Sequence, residues 1–172
     1  MTEGRSRAIE PQSSGSLSLP SRLAARTLSE RAARVRSAIK VLVVDDISET
    51  RDYLRRLLDF ESDIEVIGVA ATGIEALELA HRLNPDVVLM DIMMPEMDGV
   101  TATKILVEQT PEIAVVMMSV QDHGDYISRA FDAGARGYLV KPFRWDDLVS
   151  AIADAQKKSP PWIRGYGTGW HP

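Results

Sequence analysis

The sequence predicts an α/β domain built on an open, doubly wound sheet of parallel strands. Three observations predict it. Short runs between residues 39 and 140 are apolar at nearly every position, as strands covered on both faces are. Five such runs alternate with five stretches of helical period. The connections are short and the units similar in length, which favours right-handed crossovers in an open sheet; a closed barrel needs about eight such units.

The first strand, Lys40 to Val44, ends in Asp45-Asp46. Residues 48–60 follow as a helix, with Ser48 at its N-cap and Tyr53, Leu54, Leu57 and Leu58 on one stripe. Ile64 to Ala70 is the second strand. Thr72 caps a helix that runs through Leu83 and stops before Asn84-Pro85. Val87 to Met90 is the third strand, and it delivers Asp91 into a Pro-Glu-Met-Asp-Gly turn. A helix from Val100 to Glu108 ends before Pro111. Ile113 to Met118 is the fourth strand, finishing at Ser119. Gly124 to Ala133 is a helix closed by Gly134 in a left-handed conformation. Tyr138 to Val140 is the fifth strand, and Lys141 follows it. Trp145 to Gln156 is the last helix, with Leu148, Val149 and Ile152 facing inward.

The chain has 172 residues, 45% hydrophobic and 26% charged, which suits one globular domain of about 100–150 residues with extensions. There is no cysteine, so disulfides and thiolate chemistry are excluded and a reducing cytoplasm is expected. No apolar run approaches the roughly 18 residues of a membrane span, and the first residues lack the apolar core of a secretory signal. Charge is unevenly placed. Residues 1–40 hold eight Arg and Lys against three acids, a balance of +5. Residues 41–172 hold twelve against twenty-two, a balance of -10. The domain, residues 39–156, is therefore acidic and no direct nucleic-acid contact is expected of it. Residues 1–38 read as a basic arm, disordered or partly helical, with Leu23, Leu28, Ala32 and Val35 recurring among arginines. That pattern suits a solvated helix, or a basic amphipathic segment for an acidic partner or membrane surface. Residues 157–172 read as an irregular tail.

Four strands end in polar residues: Asp45-Asp46, Asp91, Ser119 and Lys141. A parallel sheet brings such ends to one edge, where open α/β sheets place their ligands. Three carboxylates in one cleft repel and need a cation to stay ionised together. Oxygen donors with open positions suit Mg²⁺. Lys141 offers an ammonium for a phosphoryl oxygen, and Ser119 a hydroxyl donor. The set describes a carboxylate nucleophile that accepts a phosphoryl group. Taken singly, each residue has a blander role: Asp45 and Asp46 as helix caps, Ser119 as a turn residue, Lys141 as a solvated lysine, Tyr138 as strand packing. His81 and His123 lack ligand spacing and read as surface residues, His171 lies in the tail, and the seven methionines read mostly as core filling.

At these residues the chain resembles a response-regulator receiver domain, the phospho-accepting half of two-component signalling. The motifs are VLVVDD at 41–46, LMDIMMPEMDG at 89–99, MMS at 117–119 and YLVKPF at 138–143. The resemblance covers about residues 39–156 and implies the flavodoxin-like strand order 2-1-3-4-5 with five helices. It implies that Asp91 is the phospho-acceptor, that Asp46 binds Mg²⁺ directly and Asp45 mainly through water, and that the Met93 backbone carbonyl is a further ligand. It implies Ser119 as the switch hydroxyl, Lys141 as the phosphoryl-binding lysine, Tyr138 as the aromatic switch, and a cis bond between Lys141 and Pro142. Two departures stand out. Met93 occupies a position where a polar or small residue is frequent, an apolar cover expected to slow attack by water. Val120 follows Ser119 where a smaller residue is common, with narrowed access or restricted movement of Tyr138 as the expectation.

The resemblance further implies a cytoplasmic phosphoprotein served by a histidine kinase or phosphotransfer protein. On that resemblance no enzyme activity is expected beyond self-phosphorylation and autodephosphorylation. Its signal leaves through the face of residues 124–156 to a downstream protein or a phosphorylation-dependent dimer. Two other classes fit the residues less well. An aspartyl-phosphate phosphatase commonly needs a second Asp where Met93 stands. A phosphorylation-independent binding module would have no use for the complete acidic site. Only sixteen residues follow Gln156, so the receiver acts through its own contacts or belongs to a larger regulator. A weaker likeness of residues 117–143 to receivers fused to pilus-assembly ATPases is one form of the latter, though no GxxxxGK[ST] motif is present.

Overall fold

The computed structural model describes residues 38–157. Residues 1–37 of the expected basic arm and 158–172 of the expected tail, with His171, lie outside the described residues; Lys157, expected in the irregular tail, is the last residue of the final helix. Among the described residues five strands alternate with five helices: β1 (Ile39–Val44), α1 (Ser48–Leu58), β2 (Ile64–Ala70), α2 (Gly73–Leu83), β3 (Val87–Asp91), α3 (Gly99–Gln109), β4 (Ala114–Ser119), α4 (Gly124–Asp132), β5 (Gly137–Val140) and α5 (Trp145–Lys157). All strands pair in parallel, in the order β2-β1-β3-β4-β5. This is the flavodoxin-like order the motifs imply.

The core explains why the strands are apolar at successive positions. Side chains alternate across a strand, so each strand feeds two faces. Val41, Val43, Val87, Leu89, Val116 and Met118 pack on one face against Leu54 and Leu58 of α1 and Leu148 and Ile152 of α5. Leu42, Val44, Val88, Met90, Val115 and Met117 pack on the other against α2, α3 and Ala130 of α4. A fully buried aliphatic side chain stabilises by roughly 1.5–3 kcal/mol, so the three central strands are the anchor of the domain.

Helix ends follow local chemistry. The Thr72 hydroxyl accepts the Glu75 N–H at 3.1 Å, and the Glu75 carboxylate accepts the Ala71 N–H at 2.7 Å. Asn84 closes α2 at φ 48°, and Gly134 follows α4 at φ +99°, the left-handed conformation expected of it. Asp98 caps α3 by accepting the Thr101 N–H at 2.8 Å. Three expectations about α1 need correction. Ser48 is its first helical residue; Ile47 holds the cap position and makes no side-chain cap bond. Tyr53 is 60% exposed, and Leu54 and Leu58 carry the inner stripe, with Leu57 half-buried. The helix also ends at Leu58 rather than residue 60, because the Asp59 and Phe60 amides close a turn onto Arg55 and Leu57. His81 and His123 are exposed, as expected. Met90, Met94, Met117 and Met118 are in the core, whereas Met93 is 60% exposed.

Candidate functional site

The carboxyl ends of β1, β3 and β4 meet Lys141, which follows β5, at one edge of the sheet. Lys141 Nζ donates to Asp45 Oδ2 at 2.6 Å and to Asp91 Oδ1 at 2.5 Å. One ammonium thus bridges two carboxylates that are 46 residues apart in sequence. Asp45 is fully buried, and Asp91 nearly so. Neither is orphaned: Asp45 Oδ1 accepts the Ile47 N–H at 3.0 Å, and Asp91 Oδ2 accepts the Met93 N–H at 2.7 Å. Asp45 therefore does orient the entry to α1, while its other oxygen serves the cleft.

The cluster holds two acids and one base, which leaves a surplus of negative charge. Burial pushes the Asp91 carboxyl above the ordinary aspartate range, Lys141 pulls it down, and the Asp45 charge adds to the rise. Burial alone would lower Lys141, but the Asp45 and Asp91 carboxylates outweigh it and hold the ammonium above the ordinary lysine range.

Two backbone features build this corner. Gly99 lies against β3: a Cβ there would stand 2.0 Å from the Asp91 carbonyl oxygen, so only glycine permits the approach. Its N–H donates to the Ile92 carbonyl at 3.0 Å and closes the turn after Asp91. Arg51, one turn into α1, donates to the Asp45 and Asp46 carbonyls at 2.6 and 3.1 Å and fixes the other side of the cleft. Reading the residues alone missed both. Gly99 stands in an Asp-Gly pair that signals any turn, and Arg51 binds backbone, which leaves no trace in a side-chain pattern.

The remaining predicted residues form a second group. Ser119 is buried, and its Oγ accepts the Gln121 N–H at 3.0 Å. The Tyr138 hydroxyl donates to the Gln121 carbonyl at 2.8 Å. Both are tied to Gln121, which was not predicted, and neither is bonded to Asp91. The Lys141 N–H donates to the Ser119 carbonyl at 2.7 Å, so the two groups share a backbone link. The Lys141-Pro142 bond is cis. Val120 is 66% exposed.

Asp46 is exposed and stands apart from the ion pairs. With Met93, Asp98, Tyr126 and Arg129 it lines a cavity of about 450 Å³ at the mouth of the cleft. Among the described residues no three acidic or histidine side chains converge as a ready ion site. The chemistry of the expected donors nonetheless fits a hard divalent cation. They are oxygen only, namely the Asp45, Asp46 and Asp91 carboxylates and the Met93 carbonyl, and the cluster carries an unbalanced negative charge.

Comparison with known proteins defines the class. The model of the response regulator receiver domain matches residues 41–153. The chain belongs to that family. Among curated proteins it is 37% identical over 114 residues to the transcriptional regulatory protein DegU of Brevibacillus brevis, over 66% of this chain and 48% of that protein. It is 41% identical over 114 residues to the response regulator protein VraR of Staphylococcus aureus, over 66% of this chain and 54% of that protein. The chain spans about half the length of these relatives. Among solved structures, the response regulator domain of Thermotoga maritima CheB aligns with a TM-score of 0.67 and 32% identity, over 72% of this chain and 99% of that one. A CheX-CheY-BeF3-Mg+2 complex from Borrelia burgdorferi aligns with a TM-score of 0.65 and 30% identity, over 70% and 90%.

Proposed function

We propose that the chain is the phospho-accepting receiver of a cytoplasmic response regulator, with Asp91 as the acceptor. One Asp91 oxygen attacks the phosphorus of a phosphohistidine on a histidine kinase or phosphotransfer protein, and the imidazole leaves. Lys141, already 2.5 Å from Asp91, passes a hydrogen bond to a phosphoryl oxygen. The Met93 N–H, 2.7 Å from Asp91 Oδ2, is a second donor at the same place. The Ser119 hydroxyl, released from Gln121, supplies a third. Asp46, Asp91 and the Met93 carbonyl, with Asp45 behind, would hold Mg²⁺, which when bound would supply positive charge against that of the arriving phosphoryl group.

The readout follows from Ser119. Its hydroxyl and that of Tyr138 meet at Gln121, so a hydrogen bond lost on one side changes what holds the loop before α4. The surface of α4, β5 and α5 then presents a changed face to a partner protein or a second copy. The observation that carries this reading is the Lys141 bridge between two buried carboxylates at the strand edge of a receiver-family chain. Incubation with a low-molecular-weight phosphodonor and Mg²⁺, followed by intact-mass measurement, tests it. Wild-type protein should gain one phosphoryl group, and Asp91→Asn none. Labelling of the Asn variant at the wild-type rate would refute the assignment.

The length of the relatives favours a companion reading, that this receiver serves a larger regulator. The name of DegU then points to transcription as the output of such a regulator, ahead of a pilus-assembly ATPase.

A further inference from the structure

The cavity at the mouth of the cleft, about 450 Å³, carries opposite charges on its walls. Asp46 and Asp98 line it, and among the described residues that line it Arg129 of α4 is the one cation. Asp98 is engaged within α3: its Oδ1 accepts the Thr101 N–H at 2.8 Å and its Oδ2 the Thr101 hydroxyl at 3.2 Å. Arg129 forms no ion pair among the described residues. Its guanidinium instead lies 6.0 Å from the centre of the Tyr126 ring, one turn earlier on α4. That distance is within the range of cation–π attraction, which holds the charge in place and occupies none of the five N–H donors. Met93, Met94, Pro95 and Val100 supply apolar wall. The volume falls within the range of small-molecule sites.

Phosphoryl transfer to Asp91 needs room for the departing group as well as for the phosphoryl group. Lys141 and the Met93 N–H already serve the phosphoryl oxygens. In an in-line transfer the departing group leaves opposite the attacking oxygen. Asp91 is nearly buried, so the open direction is toward the mouth. An acyl phosphate gives up its phosphoryl group by breaking the P–O bond to the acyl oxygen. The electron pair stays on that oxygen, and a carboxylate leaves. On that path the anion meets the Asp46 and Asp98 charges, and Arg129 is the group that offsets them. A guanidinium matches a carboxylate with two parallel N–H···O bonds.

We propose that Arg129, held on the Tyr126 ring, is a specificity-determining residue of the phosphoryl-transfer site and receives the carboxylate that departs from an acyl phosphate donor. The inference rests on Asp91 as the phospho-acceptor. Phosphoramidate supplies the contrast. Its P–N bond breaks, the pair stays on nitrogen, and neutral ammonia leaves with nothing for a guanidinium to pair.

Labelling of the whole chain by acetyl phosphate and by phosphoramidate in Mg²⁺, followed by intact mass, tests it. Arg129→Gln should label about tenfold more slowly with acetyl phosphate and less than about threefold more slowly with phosphoramidate. Arg129→Lys keeps the charge without the planar fork, and its acetyl phosphate rate should fall between those of wild type and the Gln variant. Arg129 is exposed, so the midpoint of urea unfolding should stay where it is in both variants. Equal slowing of Arg129→Gln with the two donors would overturn the proposal, and so would an unchanged acetyl phosphate rate; either result leaves Asp91 as the acceptor. Wild-type protein that neither donor labels would remove the Asp91 assignment, and this proposal with it.

Discussion

The cleft has two unequal halves. On one side Asp45 and Asp91 are buried, are joined by charge to Lys141, and are braced by Gly99 and Arg51. On the other side Ser119 and Tyr138 are joined by two neutral hydrogen bonds to one residue, Gln121, followed by the exposed residues Asp122 and His123. The helix beyond that loop, α4, buries only Ala130 fully, whereas α2 buries Gly73, Ala76, Leu79 and Ala80. A charge-assisted hydrogen bond contributes about twice what a neutral one does. The first half is therefore built to keep its geometry, and the second to change it at small cost. The phospho-switch proposed for this chain would need both properties.

Four experiments break or sharpen this contrast. The largest effect is expected from Asp91→Asn, which should abolish phosphoryl transfer measured by gel shift or mass while leaving the fold intact. Next is Gly99→Ala, whose methyl would collide with the Asp91 carbonyl. Forcing that overlap should cost about 1–3 kcal/mol in urea unfolding and should also slow labelling, because Asp91 must move. Smaller is Tyr138→Phe, which removes only the bond to Gln121. It should cost about 0.5–1.5 kcal/mol, leave the labelling rate unchanged, and alter partner binding after labelling. A labelling rate that fell as far as with Gly99→Ala would erase the distinction between the halves. The smallest concerns Met93, 60% exposed at the rim of the cleft. Its apolar side chain is expected to keep the phosphoryl lifetime longer than seconds, and Met93→Asn to shorten it, as followed by loss of the phosphorylated mass in Mg²⁺.

What could be read from residues alone divides along similar lines. Strands were legible because Val87 to Met90 and Val41 to Val44 are apolar on both faces, as in a doubly covered parallel sheet, whereas their order came only from the resemblance to receiver domains. Asp91 and Lys141 were legible as a conjunction, since charged residues at the ends of such strands are otherwise difficult to accommodate. Tyr53 was misassigned for a geometric reason. It lies about 100° of arc from Leu54 on a helical wheel, at the margin of the buried stripe, where sequence does not decide. Ser48 lies inside α1 because the Arg51 N–H, which a Ser48 cap would take, is bonded to the Ile47 carbonyl and the helix starts one residue earlier. Gln121, Arg51 and Arg136 act through or upon main-chain atoms, and main-chain partners have no residue signature.

The lysine bridge has a consequence for the resting protein. Lys141 is a counter-ion that cannot diffuse away, and a tethered group acts at an effective concentration near the millimolar range or above. Dissolved sodium or potassium must displace it from two carboxylates at once, within a largely buried setting that salt screens poorly. Background electrolyte thus leaves the idle cleft as it is, and only a guest bringing more than one unit of charge has the leverage to rearrange it.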